Sequence, residues 1–187
     1  MQKDMSLTPS NMLPLGTKAP DFSLPDTQGN IVSLSNFSRN SLLLVAFICN
    51  HCPYVKHIRH TLMQIGKDYQ SRNVGVVAIN SNDTVAYPAD DMENMKKEVV
   101  QAGYTFPYVL DETQAVAKAY DAACTPDFYL FNKERMLIYR GQMDGSRPGS
   151  DIPVTGEDLC AAMDAALAGQ PVNDQQVPSV GCNIKWK

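Results

Sequence analysis

The stretch Cys49-Asn50-His51-Cys52 constrains this chain more than any other part of its sequence. A run of apolar residues, 42–48, leads directly into it, and the residues from Pro53 onward have the apolar spacing of a helix. A C-x-x-C pair between a buried strand and a helix is a redox motif with a physical basis, because the unpaired N–H groups and the dipole at a helix N-terminus favour a thiolate. The pattern predicts that the rest of the chain is a scaffold for this pair.

Composition narrows the class of protein. With 187 residues the chain is long enough for one good core and short for two domains. A net charge of −4 without a long basic run does not suggest binding to nucleic acid or to an anionic membrane. The longest apolar run is far below the roughly 20 residues of a membrane-spanning helix, and residues 1–15 lack the apolar segment of a signal peptide. We therefore expect a cytoplasmic protein, in which five cysteines are catalytic, metal-binding or core residues rather than structural disulfides.

The order of the segments predicts an α/β sandwich. An N-terminal β-hairpin within residues 19–34 precedes a β-α-β-α-β-α series and then a β-hairpin and a last helix. The apolar runs 42–48 and 74–80 read as parallel strands covered on both faces, and the late hairpin adds antiparallel strands to the same sheet. Three regions follow: an extended N-terminal arm over 1–15, one domain over 16–169, and a tail over 170–187 that packs on the domain.

Three further motifs carry a family resemblance. They are Gly16-Thr17-Lys18-Ala19-Pro20-Asp21-Phe22, Thr125-Pro126-Asp127-Phe128 and the ending Gly181-Cys182-Asn183-Ile184-Lys185-Trp186-Lys187. Together with the C-x-x-C pair they resemble the peroxiredoxin-like bacterial proteins of the alkyl hydroperoxide reductase/thiol-specific antioxidant group. The resemblance implies a thioredoxin-like three-layer α/β/α sandwich with a mixed central sheet. It also implies that Pro126 is cis and faces the cysteines, and that Thr125 offers backbone groups to an extended substrate.

The same resemblance implies thiol–disulfide exchange. Cys49 would be the more exposed thiol, closest to the helix N-terminus and low in pKa, and it would attack a disulfide. Cys52 would resolve the mixed disulfide, and His51 would stabilise the thiolate of Cys49. The partners implied are protein or small-molecule thiols and disulfides, with peroxides as further candidates, and a thioredoxin- or glutathione-type electron donor. No cofactor is implied.

A second interpretation is an antioxidant thiol peroxidase. Cys52 would then be oxidised by peroxide to the sulfenate, and Cys49 or Cys124 would resolve it. When Cys52 is aligned with the peroxidatic cysteine of true peroxiredoxins, Cys49 stands where a threonine or serine belongs and Val45 where a proline belongs. The peroxide-activating set is therefore incomplete, which favours exchange.

The third interpretation is a metal-binding or metal-delivery module that uses Cys49, Cys52 and a nearby histidine. His57 and His60 are three residues apart on the helix after the motif, but surface positions explain them better. A zinc site usually takes four ligands in two paired clusters, and the sequence has no second C-x-x-C. The pair could also be purely structural, and we predict no resident metal.

The three remaining cysteines are ambiguous. Cys124 lies two residues before Pro126, so it is either an additional redox thiol or a small buried residue. Cys182 could fold back toward the site, pair with Cys124, or serve as a buried anchor of the tail. Cys160 lies in an alanine-rich helix and is predicted to be a core residue.

The charged residues near these segments have structural explanations. Arg147 is in a loop that could reach the site, although such a residue more often pins its own loop. Asp90 is predicted to cap the second helix, with Glu93 three residues further on. The acidic group as a whole is predicted to be a solvated helix start and comprises Asp83, Asp90, Asp91 and Glu93.

Overall fold

A computed structural model describes residues 7–187 of the chain. The part of the predicted N-terminal arm that precedes Leu7 lies outside the described residues. Within residues 7–187 the ten strands are β1 (Leu7–Pro9), β2 (Ser23–Pro25), β3 (Ile31–Ser33), β4 (Leu42–Phe47), β5 (Val74–Asn80), β6 (Tyr108–Leu110), β7 (Cys124–Thr125), β8 (Asp127–Phe131), β9 (Leu137–Gly141) and β10 (Val180–Asn183). The α-helices of this described part are α1 (Pro53–Gln70), α2 (Met92–Ala102), α3 (Ala115–Ala119) and α4 (Glu157–Leu167).

The central sheet has five strands in the order β6-β5-β4-β8-β9. Strand β4 is parallel to β5, and β5 is parallel to β6, whereas β8 and β9 are antiparallel additions. All six residues of β4 are buried, as expected for a strand that is covered on both faces. The predicted mixed sheet with a late antiparallel hairpin is therefore confirmed.

Helices cover both faces of this sheet. The alternate residues Leu42, Leu44 and Ala46 share a core with α1, α2 and α4, whereas Leu43 and Val45 share the opposite core with α3 and the N-terminal hairpin. The predicted three-layer arrangement follows from this division. No helix within residues 7–187 has the length and apolar character needed to cross a bilayer.

The helix ends show one wrong prediction. Helix α1 begins at Pro53, where the missing N–H costs nothing, with Cys52 as the N-cap in an extended conformation. Helix α2 is capped by Asp91, whose side chain accepts a hydrogen bond from the backbone N–H of Asn94 at 2.8 Å, and not by Asp90. Asp90 instead ends a 3₁₀ turn one residue earlier and points inward.

The tail closes against the domain through a second sheet. Its strand β10 lies between β1 and β7 in a three-stranded antiparallel sheet. Cys182 is in register with Thr125, and Asn183 with Cys124. The tail therefore runs alongside the residues that precede Pro126.

Candidate active site

The C-x-x-C pair lies at the junction between β4 and α1. Beyond the end of β4, the backbone N–H of Ile48 still bonds to the Ile79 carbonyl, so the chain stays tied to the sheet until the motif begins. Cys52 is the N-cap residue of α1. Its sulfur thus lies at the end of the helix where backbone N–H groups are unpaired and negative charge is favourable.

The Thr125–Pro126 peptide bond is cis, as predicted. Thr125 meets both cysteines of the motif. The Thr125 hydroxyl is 3.5 Å from Cys49 Sγ, and the Thr125 carbonyl oxygen is 3.3 Å from Cys52 Sγ. The prediction that this loop faces the motif is confirmed by these contacts, whereas a role for Thr125 and Pro126 in binding a substrate remains a prediction.

A third thiol joins the pair. Cys182 Sγ lies 2.7 Å from Cys52 Sγ, although the two residues are 130 positions apart in sequence. Of the alternatives for Cys182, the structure shows the tail folded back to the site. Its sulfur contacts Cys52, while its strand neighbour Asn183 is the residue paired with Cys124.

The negative charge in this cluster belongs on Cys52. Hydrogen bonds from the Cys182 and Cys49 thiols lower the pKa of Cys52, and together they outweigh the effect of burial. Burial raises the pKa of Cys49 far above its ordinary value, and the hydrogen bond to Cys52 and the charge of Asp90 add to that rise. The hydrogen bond to Cys52 and burial also raise the pKa of Cys182.

Two of the three properties predicted for Cys49 are therefore wrong: its place closest to the helix N-terminus and its low pKa. Cys49 was expected to be the more exposed thiol, closest to the helix N-terminus and low in pKa. Its side chain is 1% exposed and that of Cys52 is 0% exposed, so both are buried. Cys52, not Cys49, caps the helix and carries the lowered pKa, because a cap position and two thiol donors all act on that one sulfur.

His51 interacts with a buried carboxylate and has no hydrogen bond to sulfur. Its Nδ1 is 2.5 Å from Asp90 Oδ2, and its ring stacks on Tyr87 with the ring centroids 5.7 Å apart. Asp90 Oδ1 also accepts a hydrogen bond from the backbone N–H of Asn50 at 2.8 Å. The direct stabilisation of a Cys49 thiolate by His51 is thus not seen, since the imidazole is held by Asp90 and that carboxylate opposes ionisation of Cys49.

Asp90 corrects the prediction for the acidic group. It is 0% exposed, whereas Asp83, Asp91 and Glu93 retain contact with solvent. Sequence reasoning missed it because two adjacent aspartates before a helix look like one capping cluster. The available signal was positional: the segment that follows β5 must come close to the motif that follows β4, since parallel neighbours end at the same edge of a sheet.

A candidate set of metal ligands differs from the predicted one. Cys49, His51 and Asp90 present ligand atoms that all lie within 4.8 Å of one another. Asp90 takes the place that the sequence interpretation gave to Cys52, and its carboxylate is already hydrogen-bonded to His51. The metal-binding alternative stays a prediction.

The other candidate residues lie outside the cluster of sulfurs. Cys124 is buried and its sulfur contacts the Pro126 carbonyl oxygen at 3.8 Å, so its contact is with backbone. Cys160 is half-buried. Arg147 both pins its loop, through the Asp144 carbonyl at 2.9 Å, and lines a groove beside Pro126.

The two helix histidines differ in environment. His57 Nε2 is 2.7 Å from Ser146 Oγ and is partly buried, while His60 is exposed. Neither histidine belongs to the set of ligand atoms around Cys49.

Comparison with known proteins agrees with the fold and with the family resemblance. The AhpC/TSA family profile matches residues 15–140. The chain is 30% identical over 124 residues to the thiol-disulfide oxidoreductase ResA of Bacillus subtilis, a match that covers 66% of this chain and 64% of that protein. The chain thus spans less than two thirds of that relative's length.

Solved structures include a near match over the whole chain. A conserved, uncharacterised protein from Geobacillus kaustophilus has a TM-score of 0.97 and 54% identity, and the match covers 99% of this chain and 98% of that one. The thioredoxin domain of a thiol-disulfide oxidoreductase from Bacteroides vulgatus has a TM-score of 0.60 and 20% identity, with coverage of 70% and 89%. The latter likeness establishes the thioredoxin-like fold and nothing about activity.

Proposed function

This chain belongs to the AhpC/TSA family, and we propose that it is a thiol–disulfide oxidoreductase whose redox pair is Cys49 and Cys52. The observation that carries the proposal is the cluster of sulfurs at the N-terminus of α1, in which Cys52 has a lowered pKa. A relative named thiol-disulfide oxidoreductase supports the same reaction class. Thiols, disulfides and a thioredoxin- or glutathione-type donor are the partners we propose, in the cytoplasm.

The exchange begins with a proton transfer within the pair. Cys49 is hydrogen-bonded to the Cys52 thiolate, so its proton can pass to Cys52 and leave a thiolate on Cys49. That thiolate attacks one sulfur of a substrate disulfide, forms a mixed disulfide, and releases the first substrate thiolate, which takes up a proton from water. In this scheme Cys49 attacks, as the family resemblance implies, and the lowered pKa of Cys52 favours return of the thiolate to Cys52 for the resolving step.

Cys52 then resolves the mixed disulfide. The lowered pKa returns Cys52 to its thiolate, and its attack on Cys49 Sγ forms the Cys49–Cys52 disulfide while the second substrate thiolate leaves. The substrate gains two electrons from the protein and two protons, one that began on the Cys49 thiol and is released when Cys52 ionises again, and one from water. A thiol donor reverses the change at the protein.

A depressed pKa at Cys52 also favours the peroxidase alternative, in which that thiolate attacks a peroxide and becomes the sulfenate. The full burial of Cys52 opposes it, because the peroxide would have to reach a sulfur that is 0% exposed. Cys49 is only 1% exposed, so exchange also requires the cover to move, and what favours exchange is the incomplete peroxide-activating set, with Cys49 and Val45 in the places of the hydroxyl residue and the proline.

Two substrates separate these functions. Reduced protein is treated with insulin in one reaction and with peroxide in another, and intact mass is followed in both. We expect the wild type to accelerate reduction of insulin by dithiothreitol, and Cys49→Ser and Cys52→Ser to fall to the uncatalysed rate. Cys160→Ser is the matched control, since that thiol is outside the cluster. Rapid sulfenate formation at Cys52 without insulin reduction would establish the peroxidase instead, and inertness to both with stoichiometric copper or zinc would establish the metal module.

A further inference from the structure

Cys182 has the geometry of a redox partner. Its sulfur lies 2.7 Å from Cys52 Sγ, closer than two sulfurs in ordinary non-bonded contact, and the residue is 3% exposed. The contact joins the tail to the N-cap residue of α1, which is 130 positions away in sequence.

The tail is built to hold this sulfur in place. Strand β10 pairs on both sides, and beyond it the backbone N–H of Ile184 donates to the Ala123 carbonyl at 3.0 Å. The backbone N–H of Lys185 donates to Asn82 Oδ1 at 2.9 Å. Gly181 allows the backbone of β10 to lie directly against that of β7, because a Cβ on Gly181 would be 2.0 Å from the Thr125 carbonyl oxygen. Cys182 is therefore fixed beside Cys52 by the backbone around it.

We propose that Cys182 is a third redox thiol, which competes with Cys49 for a disulfide to Cys52. The proposal deepens the function proposed above and rests on it, since it assumes that Cys52 takes part in disulfide chemistry. Cys52 is the common member: it can be bonded to Cys49 within the motif or to Cys182 across the tail.

The exchange between the two disulfides balances without an outside reagent. Starting from the Cys49–Cys52 disulfide, the Cys182 thiol loses its proton and its sulfur attacks Cys52 Sγ. The Cys52–Cys182 bond forms as the Cys49–Cys52 bond breaks, and Cys49 leaves as a thiolate that takes up the proton. The protein remains oxidised by two electrons throughout, and the thiol has moved from Cys182 to Cys49.

Cys124 provides the matched control. It is a buried cysteine on the neighbouring strand, but its sulfur contacts a backbone carbonyl and not another sulfur. If any buried cysteine could be oxidised nonspecifically in this protein, Cys124 would be oxidised as readily as Cys182.

The test is disulfide mapping of the full-length chain. Wild type, Cys49→Ser, Cys182→Ser and Cys124→Ser are oxidised with the disulfide form of dithiothreitol, free thiols are blocked with iodoacetamide, and peptides are mapped without reduction. We expect Cys49→Ser to lose two hydrogen atoms and yield the peptide pair that contains Cys52 and Cys182. We also expect Cys182→Ser to yield only the Cys49–Cys52 disulfide, and Cys124→Ser to match the wild type.

The outcomes separate the two proposals. A Cys49→Ser variant that retains free thiols at Cys52 and Cys182, under conditions that fully oxidise Cys182→Ser, would overturn the third-thiol proposal and leave the proposed function intact. A Cys182→Ser variant that forms no disulfide, while Cys49→Ser forms one, would overturn the Cys49–Cys52 pair and support the third thiol. If a variant fails to fold, the wild-type map decides: a Cys52–Cys182 peptide pair in it supports the proposal, and its absence in a fully oxidised sample refutes it.

Discussion

Oxidation should stabilise two single-cysteine variants by very different amounts. In Cys49→Ser the disulfide available within the cluster is Cys52–Cys182, which closes a loop across 130 positions. In Cys182→Ser it is Cys49–Cys52, which closes a loop of about four residues. Because a disulfide stabilises mainly by removing loop-closure entropy from the unfolded chain, the long loop should stabilise far more.

The chain-entropy relation gives the magnitudes. The loop closed by Cys52–Cys182 corresponds to about 5 kcal/mol at 25 °C, and the loop closed by Cys49–Cys52 to about 2 kcal/mol. For a chain of this size each kcal/mol moves the melting temperature by roughly 2–4 °C. Oxidised Cys49→Ser should therefore melt about 10–20 °C above its own reduced form, and oxidised Cys182→Ser only about 4–8 °C above its reduced form.

Differential scanning calorimetry of each variant, oxidised and reduced, measures this directly. Each protein serves as its own control, so the cost of the serine substitution cancels. Iodoacetamide labelling before each scan verifies that the intended disulfide is present. Equal shifts in the two variants, with both disulfides verified, would show that the tail does not gain its stability from a Cys52–Cys182 link and would refute the reasoning.

Three further predictions concern the tail, the thiolate and a buried carboxylate. Gly181→Ala should displace the tail from Thr125 at a cost of about 1–3 kcal/mol, and so speed the alkylation of Cys52 by between about fivefold and a hundredfold in a timed labelling assay. Cys182→Ala should raise the pKa of Cys52, because it removes the hydrogen bond that lowers this pKa most, whereas Cys182→Ser retains a donor and should raise the pKa less. The ultraviolet absorbance of the thiolate, recorded against pH, measures the Cys52 pKa in both variants. Burial raises the pKa of Asp127 to about 7. The contribution of Asp127 to the free energy of unfolding is therefore complete below about pH 4 and falls by roughly 4 kcal/mol as the pH rises to 7. Denaturant unfolding of Asp127→Asn at several pH values should show that this pH dependence is lost.

The parts of the fold that could be predicted are those encoded by local pattern. The apolar run 42–48 became the strand Leu42–Phe47, one residue shorter, and the helix expected from Pro53 onward begins at that residue. Periodicity and a proline at the first helical position act over a few residues, so they are visible in the sequence. The cis form of Pro126 came instead from the resemblance, because a proline alone does not reveal its isomer.

The parts that could not be predicted depend on contacts between distant segments. Nothing near Cys182 shows that its sulfur meets Cys52, since that contact is created when β10 pairs with β7. The same limit applies to Asp90, which looked like a helix cap until the segment after β5 was placed beside the motif. The error about Cys49 has this cause: its expected low pKa assumed a pair of thiols, and the third thiol moves the charge to Cys52.

The redox state of Cys52 should therefore control how tightly the tail is held. As a thiolate, Cys52 accepts the hydrogen bond that ties Cys182 to the helix cap. A disulfide to Cys49 removes that charge and weakens the tie, whereas a disulfide to Cys182 makes it covalent. Because all three sulfurs are at most 3% exposed, an external disulfide can reach them only if their cover moves. Oxidation at Cys49 would thus loosen the tail, and oxidation at Cys182 would close it, so the three sulfurs proposed to carry the chemistry would also set access to it.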